Sequence, residues 1–110
     1  MSNNAQITRF VVFHTPGPAW VPGVDFREQP GVSEHVEHYR KLFDEGKLEV
    51  GGPFLLPDIG GMMVATQEVS MGEIIAFAAQ DPAVQSGLLE YEVRPWFTPM
   101  DRHAGGETAA

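Results

Sequence analysis

The sequence contains no cysteine, which excludes disulfides, thiolate nucleophiles and thiolate metal sites. Cations are also scarce: seven Lys and Arg stand against fifteen Asp and Glu, for a net charge of −8. That balance argues against nucleic acids and anionic membranes as partners, and no basic patch occurs at any spacing. An anionic small molecule would need a local cation, and Arg94, close to the aromatic Trp96, is the candidate. No apolar run approaches the roughly 18–20 residues that span a bilayer. The opening stretch MSNNAQITRF lacks the basic and apolar regions of a secretory leader, so the expectation is a cytoplasmic protein. Glycine-rich phosphate cradles are absent, as is the G-x-S-x-G of a serine nucleophile.

What is present suits one modest globular core: 110 residues, 43% of them hydrophobic. Residues 1–8 and 99–110 are mostly small and polar and read as flexible tails around a domain at 9–98. His103 falls in the second tail and is not expected in a built site.

Within the domain, RFVVFH (residues 9–14) is β-branched and aromatic and reads as a buried strand. A loop follows, TPGPAWVPGVDFREQPG, with four prolines and three glycines. Loops that long are usually functional or disordered, and Trp20 and Phe26 favour an ordered one. The two rings could cover a binding site or could plug a core edge. The spacing then predicts a helix over residues 33–45, with Ser33 as N-cap, Val36, Tyr39, Leu42 and Phe43 on one stripe, and Gly46 as the stop. A strand at 47–54 ends in a bend, GGPF, whose glycines permit close backbone approach; FLLPDIGG makes the turn, and 61–67 is the next strand. A second helix starts at Ser70 with Met71, Ile74, Ile75 and Ala78 inward, and ends at Asp81-Pro82. The closing strand alternates Leu89, Tyr91 and Val93 against Glu90, Glu92 and Arg94.

The order is β-α-β-β-α-β, which predicts an α+β, ferredoxin-like fold: a four-stranded antiparallel sheet with two helices on one face. The other face keeps enough apolar residues to require cover, and a homodimer is the economical expectation.

Two places carry possible chemistry. In SEHVEHYRKL, His35 and His38 stand three residues apart at a helix start. A metal pair is geometrically possible, with Glu34 or Asp58 as third ligand, but the usual helical zinc spacing is four. With few histidines and no cysteine, no metal is expected. A neutral His35 would suit a general base, and a ring packed on the core edge is the plain alternative. His38 lies nearer the solvent side. Asp81 stands at the negative end of a helix dipole, where a carboxylate is disfavoured. It could serve acid–base chemistry, or cap a short turn with Pro82 at its first position. A carboxylate has two oxygens, so both roles can coexist.

These pieces form a pattern. H-x-x-H-Y-x-x-L-x-x-x-G-K-L-x-x-G-G-P-F, the A-x-D-P at a helix end and the closing G-L-x-x-Y-E-V-R-P-W together resemble the YciI-like family over about residues 10–96. The resemblance implies a dimeric ferredoxin-like protein, similar in fold to muconolactone isomerases, with an acid–base pair that falls on His35 and Asp81. It also implies a chemistry class, since one branch of the family eliminates HCl from a chlorinated hydroxyhydroquinone. The expectation is therefore a cofactor-independent lyase or isomerase acting on a small aromatic or enol-type metabolite in aromatic catabolism. In it Arg94 would hold an anionic oxygen, Trp20, Phe26 and Phe54 would shape the pocket, and His38 would stand beside it. The rival expectation is a non-catalytic dimeric module that binds a small molecule or a protein.

Overall fold

The computed structural model describes residues 7–102. The elements are β1 (Thr8–Pro16), α1 (Val32–Asp44), β2 (Leu48–Pro53), β3 (Gly61–Ala65), α2 (Met71–Ala79), α3 (Pro82–Gln85) and β4 (Leu89–Phe97), plus a 3-10 turn at Phe26–Glu28. The strands form one antiparallel sheet in the order β2-β3-β1-β4. This is the ferredoxin-like α+β arrangement, extended by the short α3 between α2 and β4. Among the described residues no helix is long and apolar enough to cross a membrane.

Alternation along β1 divides the sheet into two faces. Val12, Ala65 and Leu48 meet Tyr39 and Leu42 of α1 and Ile74 and Ala78 of α2 in the main core. A smaller cluster of Ala83, Leu88 and Leu89 lies beneath α3, with Trp20 packed against it. On the opposite face Val11 and Val64 pair directly and are buried, whereas Val50 is 59% and Trp96 47% exposed.

The expected tail does not begin at residue 99. Thr98 N–H donates to the Ile7 carbonyl at 3.0 Å. Arg9, buried on the outer sheet face, then binds Thr98 Oγ1 at 2.7 Å and Asp101 at 2.8 Å. A buried guanidinium requires such partners, and they tie residues 98–101 to the sheet. His103 lies outside the described residues.

Helix α1 differs from the periodic reading in two respects. Its N-cap is Gly31, at φ +96°, with no side-chain cap bond, while the Ser33 hydroxyl turns to Glu34. The buried stripe is His35, His38, Tyr39 and Leu42; Val36 and Phe43 are about half exposed. The helix is rotated so that its polar aromatics face the sheet and α2. Its apolar flank is left to line a cavity. Helix α2 begins as expected, with Ser70 accepting from Glu73 N–H at 3.1 Å. Only Ile74 and Ala78 of its expected inward set are buried; Met71 and Ile75 remain more than one-third exposed.

Candidate active site

A cavity of about 610 Å³ opens between α1, the β2–β3 loop and the loop that follows β1. Its walls are largely apolar, with Val36 and Phe43 from α1, Phe54 from the GGPF bend and Met63 from β3. The Pro-rich loop supplies Trp20 and Phe26. That loop is a built structure. Gly17 and Ala19 N–H groups donate to the Leu88 and Gly87 carbonyls, each at 2.9 Å. A Cβ on Gly17 would overlap the Gly87 carbonyl oxygen, so the approach depends on glycine. The buried Gln29 side chain gathers the loop from inside, bonding Val21 N–H at 2.9 Å and the carbonyls of Val21 and Val24 at 2.8 and 2.9 Å.

Asp58 then links the two loops. Its carboxylate accepts from Trp20 Nε1–H at 2.8 Å and from Gly23 N–H at 3.2 Å. Asp58 holds a left-handed φ of 59°, a conformation Asp tolerates better than most residues. Trp20 therefore does two things: it covers the cavity and caps the smaller core cluster.

On the cavity's inner wall stand His14, His35 and Tyr39. Asp81, fully buried behind them, uses both of its oxygens. Oδ1 accepts from Ala83 N–H at 2.9 Å, making Asp81 the N-cap of α3 with Pro82 in the first turn. Oδ2 accepts from His35 Nδ1–H at 2.5 Å. Capping and pairing with the histidine thus coexist in one residue. With Nδ1 donating to the carboxylate, the other ring nitrogen of a neutral His35 carries a lone pair. That atom, Nε2, has no protein partner among the described residues and is not sealed from solvent. A proton acceptor, oriented from behind by a carboxylate, is the arrangement general-base chemistry requires.

His14 stands at the end of an apolar strand, where a polar residue reads as a strand terminus, although residues 10, 12 and 14 share the core-facing side of β1. It is 2% exposed. One ring nitrogen, Nδ1, faces the Glu90 carbonyl at 3.1 Å, and the other, Nε2, lies 2.9 Å from the Tyr39 hydroxyl. Burial, reinforced by the nearby His35, holds its pKa down at about 4, despite the opposing influence of Asp81. Burial and the Asp81 carboxylate push the Tyr39 hydroxyl well above its ordinary range, so it stays protonated. The ring of His35 packs edge-on against both neighbours, with centroids 5.0 Å from His14 and 5.3 Å from Tyr39.

Two expected contacts do not reach the cavity. Alternation along β4 puts Arg94 on the face opposite Tyr91 and Val93. There it chelates Glu92 at 3.0 and 3.1 Å and lies over the Phe13 ring. The cations on the cavity wall are instead Arg27, paired with Asp25, and Arg40. His38 turns toward α2, stacking on Phe77 at 3.9 Å and donating from Nε2 to the Phe77 carbonyl at 2.7 Å.

A helical metal pair of His35 and His38 is therefore not assembled, and Asp58 is engaged by the loop. Among the described residues, the set that could hold an ion is His14, His35 and Asp81, whose ligand atoms lie within 4.8 Å of one another. Two ligands of one zinc ion, each bonded at about 2.0–2.2 Å, stand about 3 Å or more apart in tetrahedral geometry. An ion would therefore have to replace the direct His35–Asp81 hydrogen bond.

The sequence model of the YCII-related domain matches residues 8–97. The chain belongs to this family. No curated protein matches the sequence significantly. Among solved structures, the chain is similar to the 5-chloro-2-hydroxyhydroquinone dehydrochlorinase of Burkholderia phenoliruptrix AC1100 in complex with 2,5-dihydroxybenzoquinone. The two share 22% identity with a TM-score of 0.54, over 80% of this chain and 92% of the other. At that identity the likeness bears on fold.

Proposed function

We propose that this protein is a cofactor-independent acid–base enzyme of the cytoplasm, acting on a small hydroxylated aromatic or enol-type metabolite. The observation that carries the reading is the free Nε2 of His35 on the cavity wall, with Nδ1 fixed on buried Asp81. The chemistry of the similar dehydrochlorinase, and the hydroxylated quinone in its structure, give the reading a substrate class: a chlorinated hydroquinone, with isomerisation as the related alternative.

For a chlorinated hydroquinone the steps balance without an oxidant. His35 Nε2 takes the proton of a hydroxyl adjacent to the chlorine-bearing carbon. The oxygen's electron pair shifts into the ring, and that carbon takes the proton back from Nε2. A second hydroxyl, para to the first, then loses its proton to solvent. Its electron pair moves through the ring to re-form a C=C bond, the C–Cl bond breaks and chloride leaves. The net change is loss of HCl and formation of a quinone. Asp81 keeps the ring in one tautomer and offsets the transient positive charge. The rings of Trp20, Phe26 and Phe54 enclose a flat substrate and limit water.

The test is turnover of a panel of chlorinated hydroquinones and lactones by the wild-type protein and by His35→Ala. General-base catalysis predicts a loss of about 10²–10⁴ in rate. A folded variant with unchanged turnover would return the protein to the class of non-catalytic binding modules.

A homodimer through the outer sheet face is part of this proposal, because Val50 and Trp96 leave an apolar patch there. Light scattering should give twice the chain mass for the wild type and a smaller mass for Trp96→Glu. A monomeric wild type would end the dimer reading.

A further inference from the structure

Tyr39 lines the inner wall beside His14 and His35, and the proposed mechanism leaves its hydroxyl idle. Its hydrogen-bond direction can be assigned. The Glu90 carbonyl cannot donate, so the His14 nitrogen facing it, Nδ1, must carry the proton. A neutral His14 then has a bare Nε2, and burial keeps the ring neutral at physiological pH. The Tyr39 O–H must therefore donate to Nε2, over 2.9 Å. With that proton committed, the phenolic oxygen can only accept from any further partner. No other protein donor meets it among the described residues.

We infer that Tyr39 is a substrate-contacting residue whose oxygen accepts a hydrogen bond from a substrate hydroxyl, and that His14 is the residue that positions it. The preferred substrate class is thereby narrowed to rings that offer two O–H groups, one to His35 Nε2 and one to Tyr39. Two acceptors on one wall select against ethers and against quinones without O–H groups. The selection resembles that of a site whose buried polar group stays unpaired when an analogue lacks its partner. His14 takes no proton from the substrate in this scheme. Its part is to fix the direction of the Tyr39 hydroxyl. The inference rests on the proposed function, in that it needs the cavity to be the substrate site.

The experiment is anaerobic titration calorimetry with hydroquinone, 4-methoxyphenol and 1,4-dimethoxybenzene, which differ by methylation of one hydroxyl at a time. In the wild type each methylation should weaken binding, by about 10-fold per lost hydrogen bond. Tyr39→Phe should abolish one of the two steps and leave dimethoxybenzene binding unchanged. His14→Leu should behave like Tyr39→Phe. His14→Gln should restore the step, since its amide can both donate to Glu90 and accept from Tyr39. Thermal melts confirm that each variant is folded. Tyr39→Phe retaining both steps would overturn the inference and leave the proposed function standing, as would a wild type that binds all three rings equally. A wild type that binds none of them would overturn the proposed function itself, and the inference with it.

Discussion

His35 and His38 stand three residues apart on α1, and both are more than nine-tenths buried. They nevertheless do opposite things with their rings. His38 gives Nε2–H to the Phe77 carbonyl near the end of α2 and lays its face on the Phe77 ring. It meets a helix carbonyl that otherwise has few partners, at the end where a helix favours donors. His35 gives Nδ1–H to a carboxylate and keeps its other nitrogen for the cavity. Burial and residue type are the same in both. The difference lies in which atom is left without a protein partner, and that decides which histidine can do chemistry.

Asp81→Asn breaks this comparison most sharply. The amide oxygen can still cap Ala83, while the amide nitrogen would face His35 and donate where the carboxylate accepted. His35 would then carry its proton on Nε2 and no longer act as a base. A rate loss of about 10²–10⁴ is expected, with a melting temperature close to that of the wild type. Loss of fold in step with activity would show that the carboxylate is needed to hold the fold rather than to orient a base.

A smaller effect separates His14 from its neighbours through pH. Its folded pKa of about 4 lies below the ordinary 6.5, so the unfolded chain binds more protons between these values. Stability therefore rises with pH across that window and is lost as pH falls from about 6.5 toward 4. The gap corresponds to roughly 3 kcal/mol. Denaturant titrations from pH 4 to 7 should show a shallower dependence in His14→Gln than in the wild type. Parallel curves would mean that His14 is not held neutral.

The smallest effect expected is at His38. His38→Ala removes one hydrogen bond and a stacked ring, for about 1–2 kcal/mol of stability, with turnover within about threefold of wild type. A large loss of turnover in a stable His38→Ala protein would erase the distinction between the two histidines.

Much of this arrangement could be read from residue order. The alternation of hydrophobic period gave β-α-β-β-α-β, and the pairing of His35 with Asp81 came from motif resemblance, since 46 residues separate them. The dual use of Asp81 followed from counting carboxylate oxygens. Other features depended on rotations and parities that periodicity leaves loose. The α1 stripe includes Val36 and Phe43 on hydrophobicity alone, yet a helix beside a cavity can turn its apolar flank outward. The position of Arg94 was readable: it alternates with Glu90 and Glu92 on the solvent side, so a contact inside the cavity required the wrong face of β4. His14 had a signal too, in its parity with Phe10 and Val12, but a polar residue at the end of an apolar strand resembles a strand terminus. Only tertiary contact with Tyr39 and Glu90 shows otherwise.

The placement of the two tryptophans has a practical consequence. Trp20 closes over the cavity with its indole N–H on a carboxylate, and Trp96 lies half exposed on the far side of the sheet. Each indole is thus an intrinsic fluorophore for one side of the sheet. In a Trp96→Phe protein the remaining emission reports ligand entry and loop movement. In a Trp20→Phe protein it reports what settles on the outer face. One chain with two single-tryptophan forms can therefore give separate optical readings of the cavity and of the outer sheet face.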